Sequence, residues 1–296
     1  MTSILTNNSA MAALQTLRNV NSSLSTTQNH VSSGLRVEKA KDNAAYWSIA
    51  TTMKSDNGAL SAVSDALGMG AAKVDTAYTA VQSAIDVVSE IKSKLVAATE
   101  EGVDKDKVQD EITQLQDQLK SIASSASFNG QNWVQNTIGT TMSVVSSFVR
   151  DSSGGIAVNT TQYVSTASDL LLDDTGTDGI LGASGAASTN SIVGFTIGAS
   201  STKGDIDNLL TDVETALTSM TALGSKLGSI STRIDLQTNF VSSLSDAIDS
   251  GVGRLVDADM EEESSKLSAL QTQQQLAVQS LSIANSSSQN ILTLFR

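Results

Sequence analysis

The chain has 296 residues, a net charge of −13 at pH 7, and neither cysteine nor proline. The acidic charge argues against a nucleic-acid partner, because contact with phosphates requires a basic surface. The lack of cysteine excludes disulfides and thiolate metal sites, and the lack of proline favours long, uninterrupted helices.

The first predicted helix lies near the N-terminus and carries apolar residues at alternating steps of three and four. This spacing forms one apolar stripe, here called a heptad seam, which is typical of helices that pack against partner helices. The same spacing recurs at the C-terminus. The seam residues of these two terminal arms that we predict to mediate self-assembly are Leu17, Val20, Leu24, Val31, Leu267, Leu270, Leu281, Ile291 and Phe295.

A seam sustained over seven heptads runs from Tyr46 to Ala98, and only Asp56 and Gly70 interrupt it. Asp104 is placed to cap a second seam-bearing helix, and a third seam runs from Ile206 to Leu255. A heptad repeat sustained over this length indicates coiled-coil packing. The predicted core of the resulting helical rod contains Val81, Val88, Ile91, Leu95, Ile112, Leu115, Leu119, Leu223, Leu227, Ile230 and Ile234.

The seams of the terminal arms are out of phase with those of the rod. Continued forward, the first arm seam reaches Ala45, one residue before Tyr46, and the second arm seam starts at Met260 where the rod phase requires Ala258. Such a break indicates a bend or a change of packing partner. We therefore predict an inner domain from residues 1–40 and 257–296, a rod domain from 41–140 and 205–256, and a variable surface insertion at 141–204.

The middle of the chain is rich in Gly, Ser and Thr and lacks a heptad seam. Alternating residues at 140–149 and 156–164, separated by a Gly-containing turn, predict a β-hairpin, and a further short strand is expected at 193–197. The predicted fold class is therefore mainly α, with long helices in coiled-coil bundles formed by both termini and a small β-rich insertion in the middle.

Few residues in the chain could support catalysis or bind a metal ion. His30 is the only histidine, so a histidine metal cluster and a Ser-His-Asp triad are excluded. The acidic stretch at 173–179 resembles the start of a calcium loop, but the twelfth position from Asp174 is Gly185, where a bidentate Glu is needed. We expect no catalytic site, metal or cofactor. We also expect no membrane span, since no apolar stretch is long enough.

Several motifs resemble those of the bacterial flagellins and occur in the same order. They are Ser32-Ser-Gly-Leu-Arg36, Ala40-Lys-Asp-Asn-Ala-Ala45, Glu111-Ile-Thr-Gln114, Phe128-Asn-Gly130 and Asn290-Ile-Leu-Thr-Leu-Phe-Arg296. The similarity covers about 1–140 and 205–296, and the sequence resembles flagellins of the α-proteobacterial, rhizobium-like group. The positions taken as the family signature are Ser32, Ser33, Gly34, Leu35, Arg36, Asp42, Phe128, Asn129 and Gly130.

The resemblance implies a secreted structural subunit, not an enzyme, that self-assembles into the flagellar filament for swimming. It implies export in the unfolded state by the flagellar type III system. This agrees with our expectation that residues 1–13 are not a secretory signal peptide, since they lack a basic n-region and an apolar h-region. The implied partners are other flagellin subunits, including other flagellin types, the export apparatus and its chaperone, and the hook-associated and cap proteins. The alternative is a hook–filament junction protein, which resembles flagellins at both termini.

Overall fold

The computed structural model describes residues 7–151 and 155–294, and the side chains up to residue 286. The mainly α fold class is confirmed. Within the described residues no helix is both long enough and apolar enough to cross a membrane. The elements are α1 (Asn8–Ser33), α2 (Ala44–Ala98), α3 (Lys105–Ser125), β1 (Ser127–Phe128), β2 (Gln131–Asn132), β3 (Thr141–Arg150), β4 (Ile156–Val164), a 3₁₀ turn (Ala167–Asp169), α4 (Lys203–Val256) and α5 (Met260–Leu294).

Capping residues explain where the shorter helices begin and end. The side chain of Asn7 accepts a hydrogen bond from the N–H of Ala10 at the start of α1. Gly34 ends that helix in the left-handed conformation, with φ of 72°. Asp104 accepts from the N–H of Lys107, as the sequence predicts for the cap of α3.

The chain forms two compact units. Unit 1 consists of Met1–Asn57 and Asp246–Arg296, and unit 2 consists of Gly58–Ser245. Helices α2 and α4 contribute residues to both units. The division into three domains that the seam phases predict places its boundaries elsewhere and stays a prediction.

Unit 2 buries the heptad seam of α2 at every position from Leu60 to Ala98. Ion pairs at the edge of this core join α2 to its neighbours, Lys92 to Glu214 of α4 and Lys94 to Glu111 of α3. Nine of the eleven predicted rod-core residues are buried, and Leu115 and Ile230 are half-buried. The seam therefore faces the interior of the unit because its apolar stripe is continuous along the helix.

Strands β3 and β4 pair antiparallel, from Thr141 opposite Val164 to Arg150 opposite Ile156, so the predicted hairpin is confirmed. A bulge places Ser146 as an extra residue between two paired positions. The face that carries Met142 and Val144 is buried in unit 2.

The strand predicted at 193–197 is wrong, because this segment has no regular secondary structure. Two glutamines of α3 replace the partners that a neighbouring strand would supply. The Gln116 side-chain amide donates to the carbonyls of Ile192 and Phe195, at 3.0 and 3.1 Å. Gln109 accepts from the N–H of Ile197 at 2.7 Å. The segment is thus held to α3 by side-chain hydrogen bonds. An alternating pattern of residues in the sequence does not indicate this kind of attachment.

The residues between β4 and α4 also contribute to the core of unit 2. Leu171 and Phe195 are at most 1% exposed, although their surroundings in the sequence are rich in Gly and Ser. Lys226 of α4 binds both carboxylate oxygens of Asp169, at 2.8 and 2.9 Å. Its ammonium group also lies 4.7 Å from the centre of the Tyr163 ring. These contacts fix the segment on α4.

Candidate self-assembly surface

Helices α1 and α5 pack against each other as an antiparallel pair in unit 1. Three side-chain contacts mark the direction of the pairing. Asn7 donates to the carbonyl of Ala284, Gln274 donates to the side chain of Asn21, and Nδ1 of His30 lies 3.1 Å from Oε1 of Glu263. As the residue number increases along α1, the number of its partner in α5 decreases, as antiparallel helices require.

The contact between His30 and Glu263 forms a polar cluster within this helix pair. Glu263 is 9% exposed, the adjacent Thr27 is 1% exposed, and the Lys266 ammonium lies 3.8 Å from the same Glu263 oxygen. The hydrogen bond from His30 is the largest influence on Glu263 and lowers the pKa of its carboxyl below the ordinary value of 4.5. The single histidine of the chain therefore serves to join two helices.

The family signature around Gly34 connects the end of α1 to the link between α4 and α5. Leu35 pairs with Asp257 in an isolated antiparallel β-bridge, and the N–H of Arg36 donates to the carbonyl of Val256 at 2.7 Å. The Arg36 guanidinium donates to the carbonyl of Leu255 at 3.1 Å. The chain turns at Gly34 through the left-handed conformation, which glycine adopts without steric cost and which explains a glycine here.

The other signature residues have local structural roles. Ser32 is exposed, and the Ser33 hydroxyl donates to the Asn29 carbonyl. Asp42 accepts from the N–H groups of Lys39 and Glu38, and the Lys39 bond does most to lower the pKa of its carboxyl.

A second signature motif forms the tight turn between β1 and β2. Asn129 and Gly130 have φ of 50° and 76°, and Phe128 before them is half-buried. Consecutive positive φ values are the mark of a type I′ turn, for which Asn-Gly is the preferred pair. The motif therefore sets the register of the short β1–β2 hairpin, in which Phe128 pairs with Gln131.

Most seam residues of the terminal arms are already covered within the chain. Leu24 and Leu270 are buried, and Leu17, Val20, Val31, Leu267 and Leu281 are half-buried. The side chain of Ile291, and Phe295 as a whole, lie outside the described residues. The described seam residues therefore retain little surface for contact with another subunit.

A different set of apolar side chains on the same two helices is exposed, and these residues lie outside the heptad seams. These residues are Met11 (55% exposed), Leu14, Leu276 (58%), Val278 (52%) and Ile283 (64%). A groove of about 320 Å³, lined by Val20 and Ala277 among others, lies beside Leu276 between the helices. The missed signal is the second apolar spacing, since Leu276 and Ile283 lie seven residues apart and therefore on one side of α5.

The acidic stretch that resembles a calcium loop uses its carboxylate internally. Asp173 accepts from the N–H groups of Thr177 and Asp178 and from the Thr175 hydroxyl. The Thr175 hydrogen bond contributes most to lowering the pKa of this carboxyl to about 2. Within the described part of the chain, no group of three or more His, Asp or Glu residues could hold a metal ion.

Comparisons with known proteins agree across the chain. Residues 4–138 match the bacterial flagellin N-terminal helical region, and residues 210–295 match the bacterial flagellin C-terminal helical region. Flagellins A and C of Rhizobium meliloti (strain 1021) are 49% and 51% identical, and a flagellin of Brucella melitensis is 48% identical. Each of these alignments covers 100% of both chains. The crystal structure of Bacillus cereus flagellin is 18% identical, with a TM-score of 0.42, over 58% of this chain and 86% of that chain.

Proposed function

The chain belongs to the bacterial flagellin family and is a structural subunit of the extracellular flagellar filament, and we propose that the exposed apolar residues of α1 and α5 join it to neighbouring subunits. The resemblance to the rhizobium-like group is confirmed by the Rhizobium and Brucella relatives. Self-polymerisation follows from the family.

The distribution of exposed apolar surface supports this assignment. The seam residues pair α1 with α5 inside one subunit, while Met11, Leu276 and Ile283 remain in water. Burial of each such side chain by a neighbour would contribute about 1.5–3 kcal/mol. A contact in which this surface meets a different surface of the next copy is heterologous, and it builds an open helical polymer when the rotation between copies does not close a ring.

The sequence-derived domain division forms part of the same proposal. Residues 1–40 with 257–296 form an inner domain, residues 41–140 with 205–256 form the rod, and residues 141–204 form the outer part. Strand β4 supports a surface position for that segment, because its residues from Ile156 to Thr160, polar and apolar alike, are all exposed.

The remaining partners follow from the way in which a flagellin reaches the filament. We infer export in the unfolded state by the flagellar type III apparatus with a chaperone, and contact with the cap and hook-associated proteins. A chain without disulfides or proline is suited to this route, because neither covalent links nor slow isomerisation delay refolding. The relatives named above are all flagellins, which favours the filament over the hook–filament junction.

A pair of matched substitutions tests the assembly surface. Leu276→Asp with Ile283→Asp places charges on the exposed apolar side of α5, and we expect seeded filament elongation to stop while helical circular dichroism is unchanged. The control is Gln275→Asp with Ser282→Asp, one residue earlier in each case and on a different side of the helix. Normal elongation of the Leu276 and Ile283 variant would show that this surface is not an assembly contact.

A further inference from the structure

A groove of about 620 Å³ lies within unit 2 between the β3–β4 hairpin and helices α2 and α4. Its apolar floor includes Leu67 and Ile234, and its walls include Ser147 and Thr160. Arg233 is the one charged residue among those that line it. The groove thus combines an apolar base, hydroxyl groups and a single cation.

Arg233 has no ion pair and no hydrogen bond from its side chain among the described residues, although acidic residues outnumber basic ones in the chain by 31 to 18. Its guanidinium carries five N–H donors in a planar fork that matches a carboxylate. Ser147 adds a further donor, because its hydroxyl oxygen accepts from Asn159 at 3.2 Å and its hydrogen is left available. The chemistry of the groove therefore fits a carboxylate.

The same unit ends in a turn with the opposite charge. Helix α2 ends at Ala98 and α3 begins at Lys105. Glu100 and Glu101 lie in the turn between them, are exposed, and form no ion pair within the described residues. Asp104, the third acidic residue of the turn, forms an ion pair with Lys107, whose Nζ lies 3.7 Å from the Asp104 Oδ2.

One chain cannot bring these two surfaces together. Leu67 in the groove and Ala98 before the turn are 31 residues apart on α2, a distance of about 47 Å at 1.5 Å per residue. We propose that Glu100 and Glu101 of one subunit bind the Arg233 groove of the next subunit along the filament. This inference rests on the proposed function, and it identifies a lengthwise contact that is separate from the one made by α1 and α5.

The geometry of such a contact has a consequence for the filament. The two surfaces differ and lie far apart on the subunit, so a head-to-tail interaction between them can repeat from one subunit to the next, as an open filament requires. Each subunit would be displaced from the previous one along the direction of α2 by about the length of helix between groove and turn, which is about 47 Å.

Charge reversal tests the pairing. We expect Arg233→Glu to slow seeded elongation by about tenfold, and Glu100→Lys with Glu101→Lys to do the same, because each leaves like charges opposed. The combination of all three restores the opposite charges and should restore elongation. The control is Thr232→Glu, exposed and adjacent to Arg233, which should elongate normally. Rescue by the combination cannot arise from a folding defect.

Cross-linking supplies an independent measurement, since the chain has no cysteine. In filaments of the Glu101→Cys, Ser147→Cys variant, mild oxidation should give a ladder of covalent oligomers on a non-reducing gel. Neither single variant should give the ladder. Filaments without a ladder, together with normal elongation after Arg233→Glu, would overturn this contact while leaving the filament role intact. Failure of the unaltered protein to extend any seed would instead count against the proposed function.

Discussion

Gly70 of α2 lies directly beneath Val144 of β3, so close that a Cβ added at Gly70 would overlap the Val144 Cγ1 atom. In the sequence, Gly70 is one of the two residues that interrupt the apolar heptad seam of α2. In the structure it is buried, and it is the position at which the hairpin reaches α2. A glycine weakens a helix interior, so its presence in the middle of α2 reflects this close approach.

Gly70→Ala should therefore destabilise unit 2. The control is Gly68→Ala, two residues earlier, where an added Cβ has no atom within 4 Å. Both substitutions gain the same helix propensity, so the difference between them isolates the overlap with Val144. We expect Gly70→Ala to be less stable than Gly68→Ala by about 1–3 kcal/mol in urea unfolding. Equal stability of the two variants would show that Val144 moves aside without cost.

Gln116→Ala should detach the segment that precedes α4. Gln116 is 4% exposed and its side-chain amide donates to the carbonyls of Ile192 and Phe195, so loss of the side chain leaves both acceptors without that donor. We expect a loss of about 1–3 kcal/mol for each carbonyl left unpaired, together with faster proteolysis of this segment. Gln114→Ala, at an exposed position of the same helix, should change neither quantity.

Leu24→Asp should separate the two terminal helices. Leu24 is 9% exposed, and loss of a buried leucine side chain alone costs about 2–5 kcal/mol before the charge is counted. We expect lower helical circular dichroism and no seeded elongation. Ser22→Asp places the same charge at an exposed position two residues earlier and should behave as the unaltered protein. Equal defects in both would contradict the seam assignment.

Acid should weaken the α1–α5 pair through Glu263. The pKa of this carboxyl is lowered in the fold, chiefly by the His30 hydrogen bond. The ionised carboxylate therefore contributes to folding stability at pH values above the ordinary pKa of 4.5, and this contribution is lost as the pH falls through the lowered pKa. We expect Glu263→Gln to reduce the melting temperature at pH 7, and the difference from the unaltered protein to shrink as the pH falls below 4.5 and through the lowered pKa. Glu262→Gln, exposed in the same turn, is the control, and a similar profile for both variants would exclude this role.

Local sequence features were sufficient where a single periodic pattern determines the structure. The seam from Leu60 to Ala98 is buried as its spacing requires, and the hairpin forms from the two stretches of alternating residues. The cap at Asp104 depends on one residue and was likewise predicted, whereas the turn at Asn129 and Gly130 was not predicted, although Asn-Gly is the preferred pair for it.

The candidate assembly surface was only partly predictable. Heptad spacing identified which residues of α1 and α5 are apolar and face a partner, but it could not distinguish a partner helix in the same chain from one in another subunit. Leu24 and Leu270 proved to be covered within the chain, while Leu276 and Ile283, which lie off the seam, remained exposed. The difference depends on which faces α5 turns towards α1.

By itself, the sequence determined the long helices, the hairpin and the family, because these depend on the spacing of residues along the chain and on short motifs. Tertiary structure alone decided the reason for Gly70, the attachment of residues 192–197 to the glutamines of α3, and the pairing of His30 with Glu263. Each of these joins residues far apart in sequence. Their energies depend on distances in space, which composition and periodicity do not record.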